Sequence, residues 1–303
     1  MRLLIPTFSP PTGTWSSLTR VLAVGDAARN AGHEVAYCAA GHAAERLAQL
    51  GFRIYPAPQS TMLGLPEPLS RMIASRSQEH TIPLKPGRSF GNIWLGLLLT
   101  GMASVSYLRK LVQAQMQAVR AFEPDMLFSE LDTRAFLVSR ITRVPLATTY
   151  ASILKSGVGT FPWRRFTHAI QKVLQTYGKP GLQPQEIFGD PKVLKIIPSV
   201  PEFEEPLPRA DDFVFTGSLL RSVKTPGDGV FESEPGRRHV FVYVGTGSIP
   251  LVKLRQVLPR VFPSGCATLC LVGAQGVPGE QRTGNVIWRP FFDAESIRPF
   301  ATG

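Results

Sequence analysis

Short apolar segments alternate with amphipathic segments over the first 56 residues, and this alternation constrains the fold more than any other feature. The apolar residues 3–5 run into a loop rich in Pro, Ser, Thr and Gly over 6–17. The β-rich segments 34–38 and 52–55 then flank a short helical segment, 42–50. Between the loop and residue 34, apolar or small residues recur at helical spacing, at Leu18, Val21, Leu22, Gly25 and Ala28. This β-α-β-α-β order predicts a right-handed, doubly wound parallel sheet.

The same alternation continues to about residue 218. One long amphipathic helix is predicted from 93 to 122, after a proline-interrupted excursion over 59–90 that we expect to form a substrate pocket. Further strands are predicted at 126–128, 146–150, 195–197 and 213–215. Ligands of such sheets bind at the carboxyl ends of the strands, so loop 6–17 is expected to hold functional residues.

A second α/β unit follows a stretch of Lys, Thr, Pro, Gly, Asp and Glu. We predict an N-terminal Rossmann-like domain over 1–218, a linker over 219–237 and a partial C-terminal domain over 238–303. In this last segment, the sequence pattern predicts strands at 239–244, 267–272 and 286–288 and a helix at 251–261. Its length corresponds to about half of a doubly wound domain.

The loop Gly245-Thr-Gly-Ser248 joins the first strand of this second unit to its helix. Backbone N–H groups at a helix N-terminus attract anions, and the hydroxyls of Thr246 and Ser248 could donate to phosphate oxygens. The loop is neither a dinucleotide-binding nor a Walker A sequence. Gly and Ser also build ordinary tight βα turns, so both interpretations stay open.

Composition limits the partners. The net charge is +11 and the basic residues are scattered, which favours small anionic ligands or weak attraction to an anionic membrane surface over nucleic acid. The charge could equally serve solubility alone. Three cysteines do not suggest a disulfide framework, and the N-terminus lacks a signal-peptide pattern, so we predict a cytoplasmic protein. No metal-ligand pattern is present, and no cofactor is predicted.

Several short sequence motifs, which follow one another along nearly the whole chain, resemble those of the GT-B glycosyltransferases of the UDP-glycosyltransferase superfamily. The similarity is greatest to bacterial enzymes that glycosylate small natural products. It is carried by Gly13-Thr14, Leu22 to Gly25, Gly32 to Val35, Pro124-Asp125 with Glu130, Ile197 to Ser199, Gly217-Ser218, Val242 to Ser248, and Asn285 to Pro290.

The resemblance implies an α/β, GT-B-like architecture of two Rossmann-like domains that face each other across a cleft, the second incomplete here. The N-terminal domain would bind the acceptor and the C-terminal domain the nucleotide-sugar. Family members use a base in the first loop, and counting back from Gly32-His33 places it at Ser17, or at Thr14 or Ser16 if the alignment shifts slightly. A hydroxyl accepts a proton poorly unless another base activates it, so Glu130, which matches the supporting acid, could act as the base instead.

The resemblance also implies further binding residues. The acceptor side would include Gly13, Thr14 and Ser16. His80 is a further acceptor-side candidate, not from the resemblance but from its place in the excursion over 59–90, where it is either a base or a surface residue. The donor side would include Gly217, Ser218, Gly245, Thr246, Gly247, Ser248, Trp288 and Phe291.

The implied function is transfer of a sugar from a nucleotide-diphosphate donor to a hydroxyl of a small apolar acceptor, inverting and independent of metal. The family's His-Gly-Gly loop would follow residue 293 and is not found, so the sequence is either a fragment or a shortened relative. The alternative is a non-catalytic or truncated relative that binds an acceptor-like ligand or a partner. An NAD-dependent oxidoreductase fits less well, because neither loop carries the glycine fingerprint.

Overall fold

The structure is a computed structural model that describes most of the chain. The described residues are 1–8, 15–70, 72–73, 93–150, 157–183, 186, 190–203, 213–219, 238–244, 251–274, 277, 279–289 and 292. They fall into two compact units. The first holds residues 1–74 and 89–221, and the described residues of the second all lie within 222–303.

The first unit alternates strands and helices. Its strands are β1 (Arg2–Pro6), β2 (Glu34–Ala39), β3 (Arg53–Pro56), β4 (Met126–Ser129), β5 (Leu146–Thr149), β6 (Leu194–Ile197) and β7 (Phe213–Phe215). Its helices are α1 (Trp15–Asn30), α2 (Gly41–Gln49), α3 (Ile93–Leu99), α4 (Val105–Phe122), α5 (Thr133–Thr142) and α6 (Phe161–Thr176), with short 3-10 turns at Met62–Gly64 and Pro201–Phe203.

The seven strands form one parallel sheet in the order β3-β2-β1-β4-β5-β6-β7. The chain builds the sheet outward from β1 in one direction and then, from β4, in the other. The predicted doubly wound fold is therefore confirmed, and the carboxyl ends of β1 and β4 meet where the direction of winding changes.

Helices cover both faces of this sheet, because side chains alternate along each strand. In β1, Leu4 packs on the face covered by α3 to α6, whereas Leu3 and Ile5 pack on the face covered by α1 and α2. The apolar face predicted for α1 is confirmed: Leu18 and Val21 are buried against that second face.

Gly25 lets α1 approach β2 closely. A Cβ atom at this position would lie 1.9 Å from the hydroxyl oxygen of Tyr37. That hydroxyl donates a hydrogen bond of 3.1 Å to the carbonyl oxygen of Val21, one turn earlier in α1. The small residue in the predicted helical stripe is therefore required by packing.

The prediction of a single helix over 93–122 is wrong, since the structure contains two helices there. Gly101 ends the first of them with a φ of +79°, a conformation that side chains with a Cβ rarely adopt. A Cβ at Gly101 would also lie 2.7 Å from the backbone nitrogen of Gly64 and the carbonyl oxygen of Thr61. The break therefore requires a glycine, because the backbone around Gly64 leaves no space for a side chain, and apolar periodicity cannot show this.

The second unit has four strands, β8 (Arg238–Val244), β9 (Thr268–Ala274), β10 (Gln281–Thr283) and β11 (Val286–Arg289), and one helix, α7 (Leu251–Val261), among its described residues. The strand order is β10-β11-β9-β8, and β10, which the sequence did not predict, is antiparallel to β11. Leu254 and Leu258 of α7 pack on Val272 and Trp288.

The predicted linker, 219–237, lies outside the described residues except for its first residue, so the domain boundaries stay predictions. Loop 6–17 is shorter than expected, because β1 includes Pro6 and α1 begins at Trp15. Among the helices that the structure describes, none is long and apolar enough to cross a membrane.

Candidate functional site

The candidate site lies in the first unit, at the carboxyl ends of neighbouring strands. Because β4 lies between β1 and β5, the residues that follow these three strands share one edge of the sheet. Glu130 comes directly after β4, and Asp132 precedes α5 by one residue. Both carboxylates are buried, with 7% and 4% of their residue surface exposed.

Glu130 is paired with Arg20 of α1. The Nε and Nη2 atoms of Arg20 both lie 2.5 Å from the same carboxylate oxygen, Oε1. The other oxygen, Oε2, is buried and has no hydrogen-bond partner among the described residues. A buried carboxylate oxygen without a partner is costly, and such atoms occur where a ligand, a water or a proton is handled.

Hydroxyl groups of β5 fix the backbone around Glu130. Leu131 has a φ of +49°, and its N–H donates a 3.1 Å hydrogen bond to Oγ1 of Thr149. On the other side of Glu130, the hydroxyls of Ser129 and Thr148 lie 3.0 Å apart. The turn that presents Glu130 is therefore held by contacts on both sides.

Asp132 begins α5 and also binds a buried cation. Its Oδ1 accepts a hydrogen bond of 2.9 Å from the backbone nitrogen of Arg134 and one of 2.6 Å from Nε of the same residue. Its Oδ2 accepts from Nη2 of Arg134 at 2.7 Å and from Nε2 of Gln115 at 3.2 Å. Burial alone would lower the pKa of Arg134, but the charge and hydrogen bonds of Asp132 outweigh it and raise that pKa. The guanidinium therefore stays charged.

Two other ionisable groups near this ion pair are unsuited to act as bases. Burial raises the pKa of the Cys38 thiol to about 12 and that of the Tyr107 hydroxyl to about 12. The Tyr107 hydroxyl also donates a 2.5 Å hydrogen bond to the carbonyl oxygen of Gln59. Both groups are neutral near pH 7, so Glu130 is the better candidate for accepting a proton.

Most of the predicted acceptor residues cannot be compared with this geometry. Ser16 and Ser17 belong to the first turn of α1, but their side chains lie outside the described residues. Gly13, Thr14 and His80 lie outside them entirely. The roles assigned to these residues stay predictions.

The predicted donor residues are divided between the two units. Gly217 and Ser218 follow β7 in the first unit, three strands away from β4 and hence about 14 Å from it at the usual strand spacing. Trp288 is fully buried in the core of the second unit, where the guanidinium carbon of Arg255 lies 5.3 Å from its ring centroid. The structure does not describe Gly245, Thr246, Gly247, Ser248 or Phe291.

Sequence reasoning missed Arg20 and the Asp132–Arg134 pair. The phrase Glu130-Leu-Asp132-Thr-Arg134, three charged residues directly after a buried strand, was the available signal for the second. No local signal points from Arg20 to Glu130, which lies 110 residues later. Within the described part of the chain, no group of His, Cys, Asp or Glu could hold a metal ion.

Comparison with known proteins gives no match to a protein-family model and no match to a curated protein in sequence. Solved structures do match. The glycosyltransferase SnogD from Streptomyces nogalater is similar at 17% identity and a TM-score of 0.60, over 99% of this chain and 75% of that one.

Two further structures agree with this similarity. The glycosyltransferase SsfS6 of Streptomyces sp. SF2575, solved with thymidine diphosphate, is 15% identical with a TM-score of 0.60, over 99% of this chain and 74% of that one. The glycosyltransferase of kitacinnamycin is 14% identical with a TM-score of 0.63, and the match covers 99% of this chain and 73% of that one. The likeness suggested by the sequence is therefore confirmed for the fold: this chain has the GT-B fold of bacterial natural-product glycosyltransferases.

Proposed function

We propose that this protein is a glycosyltransferase that moves a sugar from a nucleotide-diphosphate donor to a hydroxyl of a small apolar acceptor. The observation that carries the proposal is the buried carboxylate of Glu130, with one oxygen held by Arg20 and the other without a partner among the described residues. The shared fold, and the thymidine diphosphate bound to SsfS6, support the choice of a nucleotide-linked donor.

In this proposal Oε2 of Glu130 accepts the proton of the acceptor hydroxyl, directly or through one water. The acceptor oxygen forms a bond to the anomeric carbon of the sugar, while the bond from that carbon to the diphosphate oxygen breaks. The electron pair leaves with the diphosphate, and the configuration at the carbon inverts. Because Glu130 is buried and held on both sides, the carboxylate needs little reorganisation during the reaction.

The leaving diphosphate would bind to the loop Gly245 to Ser248. The loop connects the end of β8 to α7, which begins at Leu251. A helix start of this kind favours negative charge, and Thr246 and Ser248 would donate to phosphate oxygens. The proposal includes no metal, because N–H and O–H donors can stabilise a leaving diphosphate.

The Glu130→Gln variant tests the proposal. The amide keeps the shape of the side chain but cannot accept the proton, so we expect kcat to fall by about 10²- to 10⁴-fold. Transfer is measured with UDP- and TDP-sugars on a panel of phenols and macrolides, and nucleotide binding by calorimetry. The matched control is Glu45→Gln, an exposed glutamate of α2, which should keep the parent rate.

Unchanged kcat in Glu130→Gln would overturn the assigned role of Glu130. A parent protein that binds acceptors but transfers no sugar from any donor would overturn the enzymatic proposal and support a non-catalytic binding protein.

A further inference from the structure

Arg20 binds Glu130 in an unusual way. An arginine and a carboxylate commonly pair through two parallel hydrogen bonds, one to each oxygen. Here Nε donates a hydrogen bond of 2.5 Å to Oε1, and Nη2 lies 2.5 Å from the same oxygen, whereas Oε2 has no hydrogen-bond partner among the described residues. The pairing therefore fixes one oxygen of the carboxylate and leaves the other available.

The surroundings of the pair explain why this matters. The Glu130 side chain is 5% exposed, and burying a carboxylate is unfavourable unless a cation accompanies it. Within the described residues Glu130 pairs with one cation, Arg20, since Arg134 is already bound to Asp132. The Arg20 side chain is 37% exposed, so the ion pair joins a partly exposed arginine to a buried carboxylate.

We infer that Arg20 is a positioning residue for the proposed reaction: it holds Oε1 of Glu130 so that Oε2 is the oxygen that accepts the acceptor's proton. The inference rests on the proposed function. Arg20 touches neither the sugar nor the acceptor in this scheme, and it acts only through the orientation and charge of Glu130.

A purely structural ion pair would give different behaviour. Its loss would lower the stability of the fold, while the folded fraction would transfer sugar at the parent kcat. Loss of a positioning residue lowers kcat in fully folded protein and leaves donor KM unchanged. It also has no further effect once Glu130 itself has been replaced, because residues that act as a unit are not additive.

The experiment compares Arg20→Met, Arg20→Lys, Arg20→Ala, Glu130→Gln and the double variant Arg20→Met/Glu130→Gln in the full chain. We expect Arg20→Met to lower kcat by about 10²-fold, the usual consequence of a misplaced reacting group. Lysine keeps the positive charge but has one ammonium group in place of the planar guanidinium. Arg20→Lys should therefore have a kcat between those of Arg20→Met and the parent. The double variant should equal Glu130→Gln.

Chemical rescue provides a second, independent measurement. Arg20 is partly open to solvent, so millimolar guanidinium should enter the space left in Arg20→Ala and raise kcat in a saturable way. The matched control is Arg29→Ala. Arg29 also lies in α1 and forms an ion pair, at 2.9 Å with Asp26, but it is nine residues beyond Arg20, about 13 Å along the helix. The kcat of Arg29→Ala should match that of the parent and should not change when guanidinium is added.

Each outcome has a distinct meaning. Parent kcat in folded Arg20→Met, or an additional loss in the double variant beyond Glu130→Gln, overturns the positioning role and leaves the proposed function intact. A parent protein without transferase activity overturns the proposed function and this inference together. If Arg20→Met does not fold, Arg20→Lys and the guanidinium response of Arg20→Ala decide the question.

Discussion

Asp132 and Arg134, two residues apart, form a doubly hydrogen-bonded ion pair inside the protein, with Nε to Oδ1 at 2.6 Å and Nη2 to Oδ2 at 2.7 Å. Both side chains are almost fully buried. The same carboxylate caps α5, so one residue serves as helix cap and as counter-ion. Replacements that keep one of these functions and remove the other can separate them.

The Asp132→Asn variant keeps a side chain that caps helices as well as aspartate does. It removes the charge that accompanies Arg134, and an unpaired buried charge is strongly destabilising. We expect the free energy of unfolding in urea to fall by about 3–5 kcal/mol. The double variant Asp132→Asn/Arg134→Met should recover much of this loss. The exposed control Glu45→Gln should change stability by less than about 1 kcal/mol. A small effect of Asp132→Asn alone would contradict the buried ion pair.

The Gly25→Ala variant tests the contact between α1 and β2. The added Cβ would meet the Tyr37 hydroxyl at 1.9 Å, so we expect a loss of about 1–3 kcal/mol in thermal or urea unfolding. In a Tyr37→Phe background the loss should be smaller, because the nearest remaining ring atom is 2.9 Å away.

Gly96→Ala is the matched control, since Gly96 is also helical and its Cβ would meet nothing within 4 Å. Alanine there should be neutral or stabilise the protein by up to about 1 kcal/mol. Equal effects at both positions would show that α1 does not approach β2 as described.

The three cysteines should differ in reactivity. All are free thiols, and burial raises the pKa of Cys38 to about 12 and that of Cys270 to about 11. At pH 8 about one Cys38 thiol in 10⁴ is ionised, and the thiolate is the reactive form. We therefore expect a disulfide reagent to label the partly exposed Cys266 first in native protein, and all three in denaturant.

The Cys266→Ser variant should remove the fast phase of labelling. Raising the pH towards 10 should accelerate labelling of Cys270 and Cys38 about tenfold per pH unit, because both remain below their pKa. Equal rates for all three thiols in the native protein at pH 8 would contradict the burial of Cys38 and Cys270.

Local patterns predicted most of the fold. The spacing of Leu18, Val21 and Leu22 identified the buried face of α1, and the apolar segments identified the parallel strands, because these signals depend on neighbours along the chain. The break at Gly101 was missed because the prediction followed apolar spacing, which does not show that the backbone of Gly101 lies close to that of Gly64. The strand β10 was missed because its three residues, Gln281 to Thr283, are polar.

The site was predictable only in part. Glu130 was identified from a family resemblance. Its partner Arg20 was not identified, because the pattern that predicted α1 consists of apolar residues and Arg20 is charged. Asp132 could have been recognised as a helix cap, because Asp is favoured at the position just before a helix. Its bond to Arg134 depends on burial, which the sequence does not display.

The separation of Arg20 and Glu130 along the chain has a consequence for how the protein folds. Arg20 belongs to the half of the sheet built from the first 56 residues, and Glu130 to the half that begins with β4. Their contact closes a loop of 110 residues, so we expect it to form late, when β4 pairs with β1. A nascent chain that has emerged only as far as α4 already contains the cation but lacks the carboxylate. Formation of the Arg20–Glu130 ion pair is therefore expected to mark the step at which the two halves of the sheet join.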